Sequence, residues 1–183
     1  MITASQKKKE NIAEYLLYMW HIEDLIRANG LDIDLIRKNI IDKYSDLSPE
    51  RRHEMEEWYE SLIDMMRREG VASGGHLQLN KNVILSLADL HNRLMADPRY
   101  AAYSNQYYAT LPLIVELRAR AGENKPGEIE ACFNALYGIM LLRMQGKQVS
   151  EETLKAAAQI SKYLATLAAL YKKDYNNELE FSE

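Results

Sequence analysis

Cysteine is almost absent from this chain: of 183 residues only Cys132 carries a thiol. No intrachain disulfide can form, so the fold must rest on its own core, and the usage fits a reducing, cytoplasmic setting. Glycine and proline are sparse too, 8 and 4 residues, which excludes collagen-like and low-complexity organisation. Long hydrophobic runs are also missing. Tyr163–Tyr171, already interrupted by Thr166, is far shorter than the roughly 20 residues that span a bilayer, and no membrane partner is expected. After Lys7–Lys9 the apolar stretch is interrupted by Glu14, His21, Glu23 and Asp24, and no small-residue cleavage pattern follows, so no signal peptide is expected. Nor is there an excess of charge of one sign. With 23 Lys and Arg against 27 Asp and Glu, the net charge is only −4. A nucleic-acid partner would need a concentrated basic surface, and none is present.

Helix formers are abundant, and apolar residues make up 47% of the chain. Their spacing is helical from one end to the other. Ile12, Tyr15, Met19, Ile22 and Ile26 recur at steps of three and four, with Ser5 as a candidate cap and Gly30 as the stop. Leu16, Leu17 and Trp20 widen that apolar surface beyond one face, which suits a central helix or an oligomer interface. Asp32 opens a second helix, and Ser48-Pro49 opens a third that stops at Gly70. The segment 70–75 reads as a loop inside one domain. Val83, Leu87, Leu90 and Leu94 mark a fourth helix. Asp97-Pro98 opens a tyrosine-rich fifth, in which Pro112 predicts a kink or a division into two helices. A sixth helix carries Ile129, Phe133, Leu136, Met140 and Met144. The last begins at Ser150 and is slimmed by alanines. Residues 176–183 read as a frayed acidic tail. The expected architecture is all-α, a single compact antiparallel bundle of about six or seven helices over 1–183.

Two stretches carry a resemblance. Asn11-Ile-Ala-Glu-Tyr-Leu-Leu-Tyr-Met-Trp-His-Ile-Glu-Asp24, and Leu142–Thr153 leading into Ile160–Tyr171, resemble an uncharacterised all-helical "domain of unknown function" family of Bacteroides-type bacteria. The resemblance covers nearly the whole chain. It implies a bacterial source and a full-length single domain, and it brings no catalytic residue with it.

The catalytic templates fail. There is no phosphate-binding loop, dinucleotide fingerprint, nucleophile elbow or zinc helix. Ser73-Gly74-Gly75 offers backbone N–H groups of the kind that bind anions, though glycines here also read as a plain linker. A di-iron bundle needs two Glu-x-x-His elements. Only Glu50 and His53 have that spacing, in a first turn where an acidic residue is expected anyway, so no metal site and no cofactor is assigned.

Candidate polar residues remain. Asn11, Glu14, Tyr18 and His21 share one face of the first helix. That face is either its wetted side, with Glu23–Arg27 as an ordinary i,i+4 pair, or a pocket lining with His21 as proton carrier. His91 lies between Leu87 and Leu94, at the core edge, where it should hydrogen-bond a neighbour. Cys132 reads as a small core residue. Twelve tyrosines against two phenylalanines are the unusual feature, and Tyr100, Tyr103, Tyr107 and Tyr108 cluster before Pro112 as core edge, interface or pocket. The functional expectation is association without catalysis, as a homodimer or with another protein partner. It rests on the apolar excess of the first helix and the slim last helix. The alternative is a small-molecule pocket between the first, fourth and fifth helices. A metal-binding bundle ranks below both.

Overall fold

The computed structural model describes residues 2–122 and 125–181. Among them are eight α-helices, two short 3-10 turns and no strand. The helices are α1 (Ile2–Glu10), α2 (Ile12–Ala28), α3 (Ile33–Asn39), α4 (Pro49–Arg68), α5 (Gln78–Ala96), α6 (Ala101–Arg120), α7 (Glu128–Met144) and α8 (Glu151–Tyr175). The all-helical reading therefore holds, with one helix more than the spacing implied. The extra one is α1, whose mostly polar sequence carries no apolar rhythm. Ser5 lies inside it and caps nothing. The break falls at Asn11, whose Oδ1 accepts from the Ala13 amide at 3.0 Å and so starts α2.

The other boundaries follow local chemistry. Asp32 accepts from the amides of Asp34 and Leu35, Ser48 from Arg51 and Ser150 from Thr153. Gly30 and Gly70 take φ of +66° and +69°. These left-handed turns let the next amides, Leu31 and Val71, bond back to Ile26 and Met66 at 3.0 Å each. The described residues fall into two compact units. The first takes in the chain up to Val83 apart from Asn11–Ala13; the second takes in Asn11–Ala13 and the chain from Ile84 on.

In the first unit α3 packs on α4, and Arg37 of α3 bonds Glu56 of α4 through Nε at 3.1 Å. Tyr59, Leu62, Ile63 and Met66 are the buried side of α4. Most of the apolar excess of α2 is consumed within the chain: Leu16 and Trp20 are at most 1% exposed, while Leu17 is half-buried. What remains of that excess is a weaker reason to expect association.

In the second unit α6, α7 and α8 pack on one another. The core of that unit is built from Leu87, Leu90 and Leu94 of α5, Tyr103, Tyr107 and Ile114 of α6, Ile129, Cys132 and Phe133 of α7, and Ile160, Tyr163, Leu164 and Leu167 of α8. Helix α6 does not divide at Pro112. Pro112 and Tyr108 both lie on its exposed side, so the Tyr108 carbonyl that loses its amide partner faces water rather than core. The tail is also tied down through Phe181. Glu178 N bonds the Lys173 carbonyl at 2.8 Å, and the Tyr100 hydroxyl donates to the Glu180 carbonyl at 2.9 Å. The Phe181 ring lies 5.4 Å from that of Tyr100, under the Arg93 guanidinium. Residues 182–183 lie outside the described residues.

Candidate functional site

Three of the candidate residues, His91, Tyr103 and Tyr107, meet in the second unit. His91 projects inward from α5, one turn from Leu87 and Leu94. Tyr103 and Tyr107, four apart, share the inner face of α6. The His91 Nδ1 lies 2.6 Å from the Tyr103 hydroxyl and 3.1 Å from that of Tyr163, and the two hydroxyls are 3.0 Å apart. Two phenolic protons serving three heavy atoms are consistent with Nδ1 as acceptor, which places the imidazole proton on Nε2. Tyr107 packs its ring 4.8 Å from that of His91 and donates to Glu128 Oε2 at 2.7 Å. Glu128 in turn faces Arg118 at 3.5 Å.

The electrostatics keep the ring, the phenols and the nearby thiol neutral. Burial lowers the His91 pKa, with Glu128 pulling weakly the other way. Burial raises Tyr103 and Tyr163 far above the ordinary phenol range. It also pushes Tyr107 up to about 12, helped by the Glu128 carboxylate. The Cys132 thiol, also buried, is pushed up to about 12. Near neutral pH these environments favour protonated phenols, a protonated thiol and a neutral imidazole. A thiolate or phenolate nucleophile would need the reverse shift at Cys132 or at the tyrosines.

The remaining candidate residues are elsewhere. Tyr100 holds the tail. Tyr108 is 59% exposed. Glu14 is exposed and pairs with Lys7 at 3.1 Å. Tyr18 is half-buried, its pKa raised by burial and then by Tyr44. His21 is half-buried, and its Nδ1 has no hydrogen-bond partner among the described residues. Two members of the His91 cluster were not singled out from the sequence, Tyr163 and Glu128. Tyr163 shares the helical phase of Ile160, Leu164 and Leu167, which is the signal that could have found it.

A second buried centre, in the first unit, escaped sequence reading altogether. Glu23 is fully buried. Its carboxylate accepts from the Leu77 amide at 2.9 Å and from Asn80 Nδ2 at 2.7 Å, and lies 2.6 Å from His76 Nδ1. Trp20 stacks on the His76 ring at 4.1 Å. The expected Glu23–Arg27 pair does not form. Arg27 instead pairs with Asp24 at 2.8 Å and donates to the carbonyls of Val71 and Gly75. The start of α5 receives an anion, the chain's own Glu23 carboxylate, and its donors are His76, the Leu77 amide and Asn80 rather than the amides of Ser73-Gly74-Gly75.

The third feature is apolar. Helix α7 buries Ile129, Ala131, Cys132 and Phe133 in its first half. From Ala135 to Met144 not one residue is buried, although Arg143 is the only charge in that run. Met144 is 59% exposed. Beside it, α8 presents Leu154, Ala157, Ala158 and Ser161, and the two helices enclose a groove of about 440 Å³. Residues 135–141 are half-buried and 142–144 exposed, and an apolar helix surface left partly open in this way marks an interaction face more often than it marks chance.

Among the described residues no group of three or more His, Cys, Asp or Glu is placed to hold a metal ion, and no helix is long and apolar enough to cross a membrane. No curated protein and no solved structure matches the chain. A family model described as a domain of unknown function, DUF4924, matches residues 1–178. With nearly all of its length inside that match, the chain belongs to the DUF4924 family of domains of unknown function.

Proposed function

We propose that this protein acts by protein association, without catalysis of its own, and that the α7–α8 face is where association occurs. One observation carries the reading: the run from Ala135 to Met144 is almost wholly apolar and contains no buried residue. Covering such a surface releases ordered water and supplies the main driving force for protein–protein contact. A small-molecule site drawing on His91, Tyr103 and Tyr107 has less in its favour. The His91 Nδ1 and all three of the cluster's phenols already bond one another or Glu128. A ligand would have to replace those bonds at a cost of about 1 kcal/mol each.

The test is a photo-cross-linking side chain placed at Met144 in the full chain, in the cells that normally make it, with Glu116 on the exposed side of α6 as control. A discrete protein adduct at Met144, absent at Glu116, is expected. Labelling at Met144 no stronger than at the control would remove the basis for the reading.

A further inference from the structure

Resting on that reading, we infer that the occupant of the α7–α8 face is the same face of a second copy of this chain, the two related by a two-fold axis running along the helices. Three observations lead there. First, the face is apolar on both helices. Leu136 and Met140 line it from α7, and Leu154 and Ala158 line it from α8. A two-fold along the helix direction lays α7 of each copy over α8 of the other, so Met140 meets Leu154 and Leu136 meets Ala158 on both sides of the axis.

Second, the charges agree with that axis. Only residues 145–150 link α7 to α8, and the two helices pack, so they run antiparallel and the end of α7 is level with the start of α8. Rotation about an axis along the helices keeps that level. Arg143, the one charge lining the groove, then comes beside Glu151, an exposed residue in the first turn of α8 that pairs with Lys155 at 2.8 Å. The same superposition sets the negative end of each α7 against the positive start of the other copy's α8. The result is a four-helix arrangement with antiparallel neighbours throughout.

Third, the tail as far as Phe181 lies elsewhere. The described tail is held at Tyr100 and Arg93 through Phe181.

The full chain is examined by sedimentation equilibrium at micromolar concentration. A mass of twice 21.2 kDa is expected. Ala158→Trp, at an exposed position, and Met144→Glu should each weaken dimerisation about 100-fold, while far-ultraviolet circular dichroism shows the helices intact. Two such variants guard against one that fails to fold. Register is read by mixing Leu136→Cys chains with Ala158→Cys chains under oxidation, where a mixed disulfide is expected.

A concentration-independent monomer overturns the inference. So does a dimer that both surface variants leave unchanged, and so does a disulfide formed only between Leu136→Cys chains. A pure monomer that still gives a discrete adduct with another protein at Met144 in cells would sink the second copy and leave association standing. Absence of both would sink both.

Discussion

Glu23 and His91 are both withdrawn from water, but their surroundings differ. Glu23 takes donors from the His76 ring, the Leu77 amide and the Asn80 side chain, all on the loop and first turn leading into α5. A carboxylate can stay buried there because three donors converge on it at the positive end of a helix. His91 is met by two neutral phenols and a third aromatic ring, and burial holds its pKa down. One centre joins segments more than fifty residues apart through an anion; the other knits α5, α6 and α8 with neutral groups. The difference suggests what each can lose. Removing the anion strands several donors at once, whereas removing one phenol leaves the others bonded.

The largest effect should therefore come from Glu23→Ala. Urea denaturation should show a loss of about 3 kcal/mol, because the Leu77 amide and the Asn80 amide are left without an acceptor away from solvent. A loss no greater than that of an exposed carboxylate would erase the contrast. Tyr163→Phe should cost only about 1 kcal/mol by the same measurement, since Tyr103 still donates to His91. If it proved as costly as Glu23→Ala, the two centres would be alike after all.

The smallest effect is in pH dependence, where the sign is what matters. His91 has a lowered pKa in the folded chain, so the unfolded chain binds its proton first as pH falls. The stability owed to the neutral ring is complete above the ordinary histidine pKa of about 6.5 and declines as pH drops through and below it. Comparing unfolding at pH 7.5 and 5.5 in the wild type and in His91→Gln should show a steeper acid loss in the wild type. Equal slopes would mean that the ring is not held neutral.

How much of this could be read in advance depends on what kind of signal each residue leaves. Apolar rhythm at three and four residues located seven of the eight helices, since burial of one face is what makes a helix in a small protein. Helix α1 left no such trace, because its polar sequence gives no face to bury. At the centres, His91, Tyr103 and Tyr107 were accessible because each sits at a core phase of its own helix. Glu23 was not. A charged residue one step from Asp24 and four from Arg27 looks like surface, and nothing local shows that a loop over fifty residues away will supply its donors. Likewise the second half of α7, residues 135–144, is spelled even more apolar than the first, which carries Glu128 and Glu130 yet holds the buried residues. Only the packing of neighbours separates them.

The placement of Trp20, Trp58 and Cys132 has a practical consequence. Both tryptophans of the chain fall in the first compact unit, and its single thiol falls in the second, fully buried. The native sequence thus already contains two independent reporters. Indole fluorescence tracks the first unit, while the rate at which a thiol reagent reaches Cys132 tracks the opening of the second. Running both clocks on one unlabelled sample would show whether the units come apart together or in turn.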